Sequence, residues 1–316
     1  APGFIDVHTH YDAQATWDRT LSPSPSLGVT TVVMGNCGFG IAPCPPPMRD
    51  TLLANLSVVE GMDLAALRAG TQWRFEGFAD YLGQLRALQP YPNVSVLAQH
   101  STIRTAVMGA EASTRKAPSA EQLEAMKREV RVALDAGAIG FASSFSPNHS
   151  GYAGAPMPST IAEDAELHAL TSVLGEAKRG VFQMATGPRA TPEYMEGIAA
   201  ANGRPAFITT VLAMYNEAAP ERAMTYFTRC AEARSRGHEV YIHATCQPLS
   251  FDFTLRDPYV LLSHDAFERV KRAKADELAA IYGDASFRDA FRANLRAPKA
   301  GVLFSGNWNA IEIAQA

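Results

Sequence analysis

Apolar and polar positions recur in one cycle along this 316-residue chain. A short β-branched run ends in a polar segment, and apolar residues then return every three or four positions until the next run begins. Such runs fall at 4–9, 29–34, 94–99, 138–143, 180–184, 206–211 and 239–245. Their content and length predict seven strands. The first, with Phe4, Ile5, Asp6 and Val7, reads as a short buried strand entered through the turn residues Pro2 and Gly3. Helical spacing separates the strands. The helix over 119–136 starts with Ser119, Glu121 and Gln122 as cap and first turn, and Gly137 stops it. A second, over 161–178, carries Glu163, Asp164 and Glu166 in its first turn and Lys178 and Arg179 near its end, as the helix dipole prefers.

Strands alternating with helices predict the α/β class, a parallel sheet wrapped by helices, and specifically a TIM-type (β/α)8 barrel whose site lies at the C-terminal strand ends. The chain reads as one such domain over 1–316, with 247–301 as an insert or helical region after the seventh strand. "APCPPPMRD" (42–50) is a stiff proline-rich loop. A composition that is 47% hydrophobic supports a large core, and a net charge of −4 gives no case for nucleic acid. No apolar run is long enough to span a bilayer, so no membrane partner is expected. The four cysteines, Cys37, Cys44, Cys230 and Cys246, have no zinc-ribbon spacing and are too few for a disulfide scaffold, which points to a reducing, cytoplasmic setting. The chain opens at Ala1, without a methionine and directly in a strand, and reads either as a processed protein or as an excerpt of a longer one. Periodicity leaves a homo-oligomer open.

The chemistry-bearing residues fall where the barrel rule puts them. His8, Thr9 and His10 follow the first strand, Asn36 and Cys37 the second, His100 and Arg104 the third. Ser143, Ser144, Asn148 and His149 follow the fourth, Gln183 the fifth, Thr209 and Thr210 the sixth, and His243, Cys246 and Gln247 the seventh. Side chains alternate along a strand, so His8 and His10 point to one side. With the thiolate of Cys37 they make a candidate set of two nitrogens and one sulfur, suited to zinc with a position left for water or substrate. The competing reading is that the histidines only hydrogen-bond in a loop. His100 and His149 are candidate catalytic groups, since histidine titrates near neutrality. The guanidinium fork of Arg104 suits a substrate carboxylate, although a structural salt bridge is the alternative. Gln183, Thr210 and His243 are candidate substrate contacts. His168, His238 and His264 receive no role, the last lying in a polar insert.

"APGFIDVHTHYDAQATWD" followed by "GVTTVVMGNCGFGIAPC" resembles the N-acyl-D-amino-acid deacylases, the D-aminoacylase branch of the amidohydrolase superfamily. The likeness continues through "VSVLAQHSTIRTAVMG" and "ALDAGAIGFASSFSP". It implies that His8, His10 and Cys37 belong to a metal centre of one or two zinc ions. A zinc-activated water would then release an acyl acid from a small-molecule N-acyl substrate. The family shares the spacing of His100 and Arg104.

The sequence departs from that family in two places. Where further histidine ligands are expected after the fifth and sixth strands, "GVFQMATG" and "AFITTVLAM" offer Gln183 and Thr209 or Thr210, which are weak zinc ligands. The aspartate of the eighth strand is not found; "GVLFSGNWNAIEIA" resembles a segment shortly before that strand, which places the strand, its aspartate and a small accessory β-domain outside this chain. The sequence therefore predicts a metal-dependent amidohydrolase acting on N-acyl-D-amino acids. A sister enzyme for another amide, lactam or ester with an altered metal site, and a noncatalytic binding protein with a decayed site, are the alternatives.

Overall fold

The computed structural model describes residues 2–146, 149–209, 221–245, 250, 252–299, 302 and 304–313. The chain divides into two compact units, Ala1–Pro248 and Leu249–Ala316. The first contains seven strands: β1 (Phe4–Asp6), β2 (Val29–Met34), β3 (Asn93–Gln99), β4 (Gly140–Ser144), β5 (Val181–Ala185), β6 (Ala206–Thr209) and β7 (Val240–Ile242). They pair in sequence order, every neighbour parallel. Parallel neighbours require a crossover each. Between β1 and β2 the connection carries only two short 3-10 turns, Gln14–Thr16 and Ser24–Leu27; the later crossovers carry α1 (Arg49–Glu60), α2 (Leu64–Gly70), α3 (Phe78–Leu88), α4 (His100–Met108), α5 (Ala120–Ala136), α6 (Asp164–Ala177), α7 (Pro192–Asn202) and α8 (Glu221–Ser235).

The sheet is curled. His8, just past β1, touches Thr209 at the end of β6, with 2.6 Å between Nδ1 and Oγ1. In a flat sheet those strands would stand about 24 Å apart, five spacings of about 4.8 Å. The amide of Cys37, past β2, likewise reaches the Gln183 side chain on β5. Curling turns one face of the sheet inward and the other onto the helices, so central strands are buried on both faces. All five residues of β4 are buried, and Phe141 stacks on Phe182 of β5.

β1 departs from the expected buried strand over 4–9. It is three residues long, and Phe4 and Ile5 are 71% and 63% exposed. It pairs only with β2 among the described strands, and an apolar run carries no record of whether its strand is central or at an edge. The seventh strand is also shorter than 239–245, and the expected extension of the sixth beyond Thr209 lies outside the described residues.

The predicted caps of α5 are present: Ser119 Oγ accepts the amide of Gln122, whose side chain accepts the amide of Ser119. Gly137 ends the helix at φ +115°, a conformation open to glycine at no steric cost. α6 begins three residues later than expected, because 158–161 form a separate 3-10 turn.

The second unit has its own apolar cluster, built from Val260, Leu261, Phe267, Val270, Leu278, Phe287 and Phe304. His264, expected in a polar insert, is 2% exposed and bonds through Nε2 to the carbonyl of Phe304 at 2.7 Å. Among the described residues no helix is long and apolar enough to cross a membrane. Ser119→Ala should cost about 0.5–2 kcal/mol by loss of the α5 cap, measured by denaturant unfolding.

Candidate metal centre

The local sequence builds the site from two short segments. Past β1, Thr9 donates both its amide and its hydroxyl to the carbonyl of Val33, at 3.0 and 2.7 Å. Pinning Thr9 to β2 turns the alternate residues, His8 and His10, to the other side. Past β2, Asn36–Gly38 form a tight turn in which Cys37 has φ +57° and Gly38 φ +76°. A Cβ at Gly38 would stand 2.7 Å from Cα of Ser143, so only glycine lets the turn sit against β4. Asn36 donates to the carbonyls of Thr9 and Val33 and ties the two segments together.

His8, His10 and Cys37 converge, their ligand atoms all lying within 4.8 Å of one another. Nε2 of His8 is 3.2 Å from Nε2 of His10 and 3.4 Å from the sulfur of Cys37. Tetrahedral zinc, with bonds of about 2.05 Å to nitrogen and about 2.3 Å to sulfur, would space such donors about 3.3 and about 3.6 Å apart. The geometry fits a metal ion.

The electrostatics fit as well. Burial, reinforced by His243 and His149, pushes His8 down to about 3, and burial with His8 and His149 lowers His10 well below its usual value. Both imidazoles are therefore neutral and keep a lone pair for a cation. Burial and then the neighbouring Asp12 push Glu60 up to about 8, and burial raises Asp12 to about 7 against the amide bond from Gly35. Burial, Glu60 and Asp12 raise the Cys37 thiol. Every shift penalises charge at a site whose acidic groups have no positive partner among the described residues, which is what a bound divalent ion would supply. Nδ1 of His10 is buried and has no hydrogen-bond partner among the described residues.

Other predicted residues gather at this end. Gln183 accepts the amide of Cys37 at 3.1 Å, while its own Nε2 is buried without a described partner. The His243 ring lies 6.4 Å from that of His8 and leans on Phe207. Phe39 stacks on His10 and meets the edge of His149, whose Nδ1 bonds to Ser144 Oγ at 2.6 Å. Burial lowers His149 to about 4, so near neutrality its imidazole is uncharged. Thr210, Cys246, Gln247 and Asn148 lie outside the described residues.

His100 and Arg104 are corrected. Both are fully buried, and the ring nitrogens of His100 are committed to Ser143 Oγ at 2.8 Å and Glu166 Oε1 at 2.7 Å. Arg104 spends Nε on Glu166, Nη1 on the carbonyls of Ala112 and Pro158, and Nη2 on those of Arg115 and Lys116. With all five N–H donors used, it has none for a substrate carboxylate. This is the salt-bridge alternative, joining α4 to α6 and the loops beside them. Glu166, read as a first-turn acid facing the helix dipole, is its buried anion.

Sequence reasoning missed Glu60 and Asp12. Glu60, the last residue of α1, brings Oε1 to 3.5 Å from Nε2 of His10, and the only local signal was its place before the helix-ending Gly61. Asp12 is fully buried and takes Nε2 of Gln99 at 2.9 Å and the amide of Gly35. Its position two residues after His10 was the available hint.

The fold is thus a curled, parallel seven-stranded sheet of the α/β class with three zinc-type donors gathered at its C-terminal strand ends. The amidohydrolase family model matches residues 1–304, and the chain belongs to that family. It is 41% identical over 143 residues to D-aminoacylase of Alcaligenes xylosoxydans xylosoxydans, a match covering 45% of this chain and 27% of the relative. Among solved structures it resembles N-acyl-D-glutamate deacylase from Bordetella bronchiseptica, complexed with zinc and a phosphonate inhibitor (TM-score 0.57, 30% identity, 78% of this chain and 48% of that one). It also resembles a D-aminoacylase described as having a binuclear metal center (TM-score 0.59, 29% identity, 77% and 47%). The matches thus cover between about a quarter and a half of these relatives' lengths.

Burial alone would raise Glu166, but His100 and Arg104 hold it below its ordinary value of 4.5. A depressed carboxylate contributes its stability above that ordinary value and loses it as the pH falls through the lowered one. Glu166→Gln, which strands Arg104, should cost about 3–5 kcal/mol at neutral pH. Unfolding curves from neutral to acid pH should show the gap between variant and wild type closing as acid is added.

Proposed function

We propose that this chain forms the metal-holding part of a hydrolase that cleaves the amide bond of N-acyl-D-amino acids or related N-acyl compounds. The observation that carries this reading is the convergence of His8, His10 and Cys37 at the C-terminal strand ends. Membership of the amidohydrolase family and likeness to two N-acyl-D-amino-acid-processing proteins support it.

When bound, a divalent ion, zinc by the nature of the donors, supplies Lewis-acid polarisation of an amide carbonyl and acidifies water. The chain's own residues do the rest. Neutral His8 and His10 present nitrogen lone pairs, and Cys37 presents sulfur. Gln183 Nε2, a buried donor with no described partner, is assigned to a substrate oxygen. His243 stands beside His8, their ring centroids 6.4 Å apart. His149, neutral behind Phe39, is assigned proton acceptance.

One observation favours the sister-enzyme reading. An N-acyl amino acid carries a free carboxylate, and Arg104, its expected anchor, has no donor to spare. A cyclic amide or an ester needs no such anchor.

Because the chain spans only part of its relatives, activity is measured on the full-length protein. His8→Ala and His10→Ala should each abolish hydrolysis and lower bound zinc while leaving the circular dichroism spectrum unchanged. Retained turnover in either variant would overturn the assignment. A panel of N-acyl-D-amino acids, cyclic amides and esters separates the two substrate readings by which class is turned over.

A further inference from the structure

We infer that the ends of β5 and β6 serve the metal centre as supports and not as ligands, so that this chain holds a single ion positioned through Thr209 and Gln183. The inference rests on the metal-binding reading above and concerns how that site is built.

Thr209 is fully buried at the end of β6, and its hydroxyl lies 2.6 Å from Nδ1 of His8. The other ring nitrogen, Nε2, is the one facing His10 and Cys37. A neutral imidazole can offer Nε2 to a cation only if its proton sits on Nδ1. In that tautomer the Thr209 oxygen accepts the Nδ1 proton, and a ligating histidine is oriented by the hydrogen bond its other nitrogen makes. Thr209 thereby fixes the ring direction of His8 and supports the metal-binding tautomer.

Gln183 does the equivalent for the thiol. It is 1% exposed on β5, and its Oε1 accepts the amide of Cys37 at 3.1 Å. Cys37 holds a left-handed backbone that side chains other than glycine seldom adopt. Anchoring its amide from across the curled sheet holds that turn, and so the direction of the sulfur, in place.

The two strand ends that would have to supply donors for a second ion are thus committed to the first. No second group of three His, Cys, Asp or Glu donors converges among the described residues. In this the chain differs from the binuclear D-aminoacylase it resembles.

The test is a cobalt(II) titration of the full chain, with equilibrium dialysis for stoichiometry and the thiolate-to-cobalt absorption band for the site itself. The expected result is one cobalt per chain, an affinity about 10–100-fold lower in Thr209→Val, and near-native affinity in Thr209→Ser, which restores the hydroxyl. Two cobalt ions per chain would overturn the inference whatever the variants do. So would an unchanged affinity and absorption band in Thr209→Val. A wild-type chain that takes up no cobalt would instead sink the metal-binding reading, and this inference with it.

Discussion

The curl of the parallel sheet is the constraint on which the rest of the first unit depends. Strand pairing is local, each strand bonded only to its sequence neighbours. Yet the site needs β1 to meet β6 and the turn after β2 to meet β5. The right-handed twist that L-residues impose, added strand by strand, contributes to the curl that brings them together. It converts a ladder of neighbour contacts into a pocket where residues 201 positions apart in the chain share a hydrogen bond. Gly38 shows how fine the fit is: the turn bearing Cys37 lies against the β4 backbone with no room for a methyl group.

Two buried clusters in the same unit use similar residue types to opposite ends. Around His100, Glu166 and Arg104, each charge meets a partner and each donor an acceptor, so the cluster is closed and has nothing left to bind. Around His8, His10 and Cys37, the carboxyls are pushed up and the imidazoles down, and polar atoms of His10, His243 and Gln183 lack described partners. A buried polar group left unpaired is costly. The second cluster therefore keeps unmet needs among the described residues, and the proposed cation and oxygen-bearing substrate would match them in sign and in hydrogen bonding. This contrast, more than the presence of histidine, separates a structural network from a functional one.

Much of this protein was legible in its sequence because the signals are local. Periodicity located seven strands and their order, since β-branched runs bounded by turns need no distant partner to be recognised. The cap of α5 was readable from Ser119, Gln122 and Gly137, all within one helix. Three metal-ligand candidates stood out because strand alternation places His8 and His10 together and because residues just past parallel strands share one end of the barrel.

Tertiary structure decided what depends on partners far along the chain. Whether Phe4 and Ile5 are buried depends on strand neighbours, not on their own hydrophobicity. Whether Arg104 is an anchor or a strut depends on where Glu166 and four loop carbonyls come to lie. The place of Glu60 beside His10 depends on the direction in which α1 runs. The roles of Thr209 and Gln183 follow from a curl that brings β5 and β6 against the first two strand ends. The sequence by itself determined the elements and the donor chemistry, through short-range periodicity and residue type; the curl of the sheet determined which donors meet and which are already spent.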